Sequence, residues 1–569
     1  MTTNTKLQFR VLYRQFLFRL MDVELLSASA SGDASALLGQ FASLLIFGGV
    51  VLGLGAITVG QSIRDQATAA SFWPVERFLI SLTMLVEGVF ALLSWEATFL
   101  DRRDVLVLAP LPVRVRTLFA AKIAAAASAL GLTLAAWNCI SGFTWPMMLT
   151  PPGSGLAGMI RCVAAFWVTL VAAGTFLYCT ILGVQAVAAQ LPRRWYLRVS
   201  SVLQIAAFIL LLGVVCLQPS LDTATALGAP ENQRVLAWLP SYWFLGLLNE
   251  MSGAFRVEGH AVMAPLARRA VASLAVAIFV AGGAFLLSYL RTLRKIVEEP
   301  DAVPGSRGGI WLPRFGNSPQ TALGQFVIRT LLRSQRHRAI LAFYLGGGFA
   351  IVALYLEGAR EMMHLAWIDL VRRVNFPTLA ATMLVLCASW LGIRTVFSLP
   401  LDLRANWLFR VTPALGGTER LSAVRRALLA ASVFPVLAAS SALLLWFWPW
   451  TTVAEHLLLL GLLGSLLADI SLRSFRKIPF TCSYLPGKSK VHMVFWFGIF
   501  PVVLAIHKIA QLEERAMASP LRYCALAGTL ATAAFAARLV ANTGANRSEP
   551  EVQYEDSASD ELIRLGLNR

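Results

Sequence analysis

Apolar residues in this chain come in long unbroken runs, parted by short stretches that are polar or punctuated by proline and glycine. Twelve runs centre on residues 38–60, 78–100, 117–139, 160–188, 199–217, 269–290, 339–357, 376–397, 427–447, 453–472, 493–508 and 521–541. A helix needs about 20 apolar residues to cross a hydrocarbon core of about 30 Å. Lipid offers no partner for backbone N–H and C=O groups, so each run predicts a transmembrane helix. Two other stretches are amphipathic. Residues 6–21 set Leu7, Val11, Leu12 and Phe16 against Arg10, Arg14 and Arg19, and residues 323–338 set an apolar face beside Arg329, Arg333, Arg336 and Arg338. Both predict helices lying in the membrane interface, one ahead of the first run and one ahead of the seventh.

The chain reads as one module used twice. Trp95–Lys122 places a charged loop with Leu-Pro between two apolar runs, and Trp390–Arg426 does the same; their central aspartates, Asp104 and Asp402, are separated by just over half of the 569 residues. Proline breaks the helix in each loop. The first run carries Gly48, Gly49, Gly53 and Gly55 and the seventh Gly346, Gly347 and Gly348, small residues suited to close helix packing in lipid. The expectation is an all-α polytopic membrane protein of about twelve spans in two six-helix repeats, each preceded by an amphipathic interfacial helix. Residues 1–290 form the first module, 291–320 a Pro- and Gly-rich cytoplasmic linker, 321–541 the second module and 542–569 a polar cytoplasmic tail.

Composition agrees with a chain solvated by lipid. A mean hydropathy of +0.66, with 57% hydrophobic and 14% charged residues, leaves too little polar surface to coat a soluble globule of this size. The net charge of +18 could point to nucleic acid, but its distribution argues otherwise. With the amino terminus in the cytoplasm, the cytoplasmic segments hold 34 of the 49 Lys and Arg and the opposite segments 13. This is the positive-inside pattern, and it places both termini in the cytoplasm with membrane lipid, not nucleic acid, as the partner. The seven cysteines contain no CxxC pair and predict no disulfide framework.

Catalytic chemistry is sparse. Cys482–Ser489 ends in the Gly-Lys-Ser of a phosphate-binding loop but has cysteine where the first glycine belongs, and no strand–loop–helix unit surrounds it. The six histidines lack metal-binding spacing, so no metal site is predicted. No catalytic residue and no resident cofactor are predicted either. Glu87 lies inside the second run, where an acid needs a partner or a wet cavity, which makes it an intramembrane polar candidate. Asp469, followed by Arg473 one turn on, predicts a local ion pair.

The succession of apolar helix, Asp-bearing loop, Leu-Pro and a basic entry into the next helix resembles the cytoplasmic coupling loop of ABC-2-type exporter permeases. Leu239–Gly253, LPSYWFLGLLNEMSG, is similar to the extracellular segment that those permeases carry before their last span. The resemblance implies a permease subunit of an ABC-type exporter in the cell membrane, with no nucleotide-binding domain of its own. ATP would be bound by a separate cytoplasmic ATPase, working as a dimer. It also implies that loops 101–116 and 399–420 dock that ATPase. Asp101, Arg102, Arg103, Asp104, Arg114 and Arg116 would act in the first loop and Asp402, Arg404 and Arg410 in the second, with Trp243 and Phe244 as extracellular gate candidates. The second half departs from the pattern, because 509–520 is too short to hold a counterpart of 239–253. Six plus six spans with cytoplasmic termini also fit an ion- or proton-coupled secondary transporter, and a membrane-embedded enzyme would need a clustered polar site that the sequence does not reveal.

Overall fold

The computed structural model describes residues 2–21, 42–43, 45–56, 72–98, 113–150, 155–218, 221, 223–253, 260–298, 316–399, 416–473, 478–481 and 491–547. Among them every regular element is a helix. The chain divides into two compact units, Met1–Ser306 and Arg307–Arg569.

In the first unit the principal helices are α1 (Thr2–Met21), α2 (Leu45–Ala56), α3 (Trp73–Leu93), α4 (Val115–Asn138), α5 (Gly155–Ala188), α6 (Arg193–Leu217), α7 (Pro240–Ser252) and α8 (His260–Glu298). In the second they are α9 (Ser318–Arg333), α10 (Gln335–Met363), α11 (Phe376–Val396), α12 (Gly417–Leu444), α13 (Trp450–Leu472), α14 (Val491–Met517) and α15 (Pro520–Arg547). A helix covers the described part of every apolar run. Eight of them, α4, α5, α8, α10, α11, α12, α13 and α15, are long and apolar enough to cross a membrane. The protein is therefore an all-helical, multi-pass membrane protein. Helix α3 reaches 21 residues but carries Glu76, Arg77 and Glu87, and α2 is described over only twelve residues.

The first unit is built around α3 and α5. Pro74 opens α3 at a position where its missing N–H is no loss. At the other end the orphan carbonyls find side-chain donors: the Gln204 amide donates to the Leu92 carbonyl at 2.8 Å, and the Gln185 amide to that of Trp95. The Trp95 indole donates to Ser200 Oγ at 2.8 Å, so three helices are stitched together where lipid offers no hydrogen bonds. The core includes Trp73, Ile80, Phe166, Tyr242, Phe244 and Leu266. Helix α7 meets α8 so closely that a Cβ on Gly246 would lie 2.7 Å from the Met263 carbonyl oxygen, contact that only glycine permits.

The second unit centres on α11 and α13, with Met383, Leu386, Val433, Leu460 and Ile506 in its core. Helix α12 widens into a π turn over Leu429–Val433. Pro435 follows at once; its ring cannot donate and would clash with the carbonyl one turn back, and the wider turn relieves that conflict.

Some pairings are shared by the two units, while the packing of α12 and α14 on α15 has no match of like extent in the first. In the first, α3 packs on α4, α5 and α6, α5 packs on α4 and α8, and α1 lies on α4. In the second, α11 packs on α12, α13 and α14, α13 packs on α12 and α15, and α9 lies on α12. The amphipathic helices are thus anchored to protein as well as available to an interface. From α1, Phe16, Leu20 and Met21 are buried, Tyr13 donates to Ser128 Oγ at 2.9 Å, and the buried Lys122 ammonium sits 5.0 Å above the Phe16 ring, while Leu7 and Val11 stay exposed. Unit one has α7 and the second has no counterpart, since only Ala518 and Ser519 separate α14 from α15.

Candidate functional site

Arg114 and Arg116 stand exposed at the start of α4, and Arg114 is its N-cap residue with no side-chain capping bond. A cation at a helix N-terminus opposes the helix dipole, so helix stability does not account for it. The other candidates of the first loop, Asp101, Arg102, Arg103 and Asp104, lie outside the described residues, as do Asp402, Arg404 and Arg410 of the second and the phosphate-loop-like Cys482–Ser489.

The borders of the second loop are described and are held from several sides. Before it, the Leu399 carbonyl is 3.3 Å from His337 Nε2 and the Phe397 carbonyl accepts from the Phe480 amide at 3.2 Å. Phe480 is a buried residue with a positive φ of 68°, and its ring meets those of Phe326, His337 and Phe397 edge-on. A phenylalanine in left-handed backbone is strained and persists only where the surroundings fix it. After the loop, Arg425 of α12 forks onto Asp469 of α13, Nε to Oδ1 at 2.5 Å and Nη2 to Oδ2 at 3.0 Å, and also donates to Ser465 at 2.7 Å. The partner of Asp469 is therefore Arg425 on a neighbouring helix and not Arg473. The two-point geometry suits a planar guanidinium, and a buried carboxylate favours a cross-helix partner that shares its depth over an exposed one in the next turn.

Glu87 is fully buried in the middle of α3, and neither carboxylate oxygen has a hydrogen-bond partner among the described residues. Gly174 of α5 makes room for it: a Cβ there would come 3.0 Å from Glu87 Cγ. One turn along, Phe90 stacks on Tyr178 at 6.5 Å, and one turn back Thr83 donates to Asn138 at 3.3 Å.

Trp243 and Phe244 are core anchors of α7. Phe244 is fully buried, Phe176 of α5 packs on both rings, and the Trp243 indole donates to the Leu236 carbonyl at 2.7 Å.

One buried array has no counterpart in the sequence reading. Thr382 of α11, His456 of α13 and Glu513 of α14 form a line, Oγ1 to Nε2 at 2.7 Å and Nδ1 to Oε1 at 2.8 Å, with His456 and Glu513 fully buried. No family model, no curated protein and no solved structure matches this chain.

Proposed function

We propose that the chain is the membrane permease of an ABC-type exporter, with twelve spans in two fused six-span repeats, both termini in the cytoplasm, and ATP hydrolysed by a separate cytoplasmic ATPase pair. The observation that carries this reading is a shared placement. Each candidate loop runs directly into the helix on which its unit's amphipathic helix lies, α1 on α4 and α9 on α12. A push on loop 101–116 or 399–420 would pass to α4 or α12, which cross the membrane, while α1 and α9 hold the pivot at the interface. The Arg425–Asp469 fork would carry the push from α12 into α13. The corresponding pairings around α3 and α11 support the repeat, and the excess of Lys and Arg on one side supports the orientation. Asp101, Arg102, Arg103, Asp104, Arg114 and Arg116, with Asp402, Arg404 and Arg410, are the docking residues in this scheme.

An ion-coupled transporter is the second reading. It is favoured by the two buried ionisable sites, Glu87 and His456–Glu513, because ionisable groups within spans commonly mark ion pathways. Affinity purification of the tagged chain from its native membrane separates the two. The permease reading expects a stoichiometric ATPase with a phosphate-binding loop to co-purify, and a solitary chain without ATPase activity decides for the ion-coupled one.

A further inference from the structure

From the hydrogen-bond distances and the burial around His456 we infer that Thr382, His456 and Glu513 form a proton-binding site, holding one proton more than a neutral imidazole and a carboxylate would. The Thr382 hydroxyl has a single proton, and its oxygen lies 2.8 Å from the Leu379 carbonyl, which can only accept. With that proton committed to Leu379, Oγ1 is the acceptor at 2.7 Å, so His456 Nε2 carries hydrogen and donates. The Nδ1–Oε1 contact of 2.8 Å then needs a proton of its own, on Glu513 or on the imidazole. Both placements leave the array without net charge.

The alternative direction has Thr382 donating to Nε2, Nδ1–H donating to Glu513, and Glu513 ionised. That arrangement buries a net negative charge, and the second oxygen, Glu513 Oε2, has no hydrogen-bond partner. No Lys or Arg pairs with Glu513 among the described residues. An unpaired ionised group so enclosed away from water is strongly disfavoured, whereas an unpartnered carbonyl oxygen of a neutral acid costs less. In the loaded array every donor has one acceptor: Glu513 to His456, His456 to Thr382 and Thr382 to Leu379.

The other titratable groups near the site are few. Tyr523 of α15 donates to the Glu455 carbonyl of α13 at 2.9 Å, has Cys524 beside it, and lies within electrostatic reach of the Glu513 and Glu455 carboxyl groups. His507, further down α14, is engaged by Tyr355 of α10 at 2.7 Å and by Gln511 at 3.1 Å. Glu514 and Arg515 continue α14 past Glu513, and Arg515 is exposed.

The three side chains come from three helices, near the start of α11 and α13 and near the end of α14. In the twelve-span orientation this is the extracellular end of the second unit. His456 and Glu513 are fully enclosed between these helices, so proton exchange needs α14 to move from α11 and α13. Loss of the proton would favour that movement. The site stands under either functional reading, because it concerns the resting fold.

Thermal unfolding of the purified full chain, followed from mildly acidic to alkaline buffer, tests it. The wild type should lose melting temperature as pH rises, because the charge left behind is unpaired. Glu513→Gln, whose amide donates to Nδ1 as the protonated acid does, should melt at a temperature that varies distinctly less with pH. Equal slopes for the two chains overturn the proposal. Should Glu513→Gln not fold, ¹⁵N-histidine NMR of the wild type decides: a protonated His456 Nε2 supports the site, and a bare Nε2 overturns it.

Discussion

Arg425→Ala is expected to lower the stability of the protein by about 3–5 kcal/mol, the typical cost of removing one partner from a buried ion pair. The side chain of Asp469 is 3% exposed and that of Arg425 17%, so the orphaned carboxylate could not turn to water without parting α12 from α13. The detergent-purified variant should unfold at markedly lower temperature and yield less folded protein from the membrane. Removing both charges, as Arg425→Met with Asp469→Leu, should recover much of the loss, because well-packed apolar residues often match a buried pair in stability. Any transport defect that persists in the stable double variant then reports coupling through the fork and not folding. If Arg425→Ala melts like the wild type, the fork is not a structural joint.

Phe244→Ala carries the second large effect, about 3–5 kcal/mol for deleting a buried aromatic side chain. Its ring is fully enclosed against Phe176 and the core of the first unit. A residue that only gates a passage would leave the melting temperature unchanged and alter transport. The packing predicts a clear drop in melting temperature, with Phe244→Leu retaining most of the stability because it keeps much of the volume. Under the permease proposal, gating would then fall to α7 moving as a body on α8, with Gly246 setting how closely the two approach.

The helices were legible because burial in lipid writes itself as unbroken apolar runs, and the amphipathic character of α1 and α9 was legible from arginines spaced against apolar positions, but their packing onto α4 and α12 was not. What escaped the sequence is the pairing of polar residues between helices. Asp469 has an arginine one turn away at Arg473, and nothing local distinguishes it from Arg425, which comes from another span. Glu513 lies among Lys508, Glu514 and Arg515, charges that end the apolar run near 508 and assign it to a connecting loop. The helix continues to Met517 because Ile506, Ala510 and Ala516 keep burying one face, and this carries Glu513 inward to His456. His456 looks like an isolated histidine in an apolar run, and its partners lie 74 and 57 residues away. Trp243 and Phe244 read as gate candidates only through the resemblance of Leu239–Gly253 to the extracellular segment of ABC-2-type permeases, while their enclosure by Phe176 depends on tertiary packing alone.

The most direct test of the permease assignment compares the ATPase that co-purifies with the wild-type chain and with the Asp104→Ala/Asp402→Ala double variant, at equal amounts of folded permease. Docking through the two loops predicts that bound ATPase falls several-fold in the double variant while the permease keeps its melting temperature. An ATPase that binds both chains equally, or neither, contradicts it.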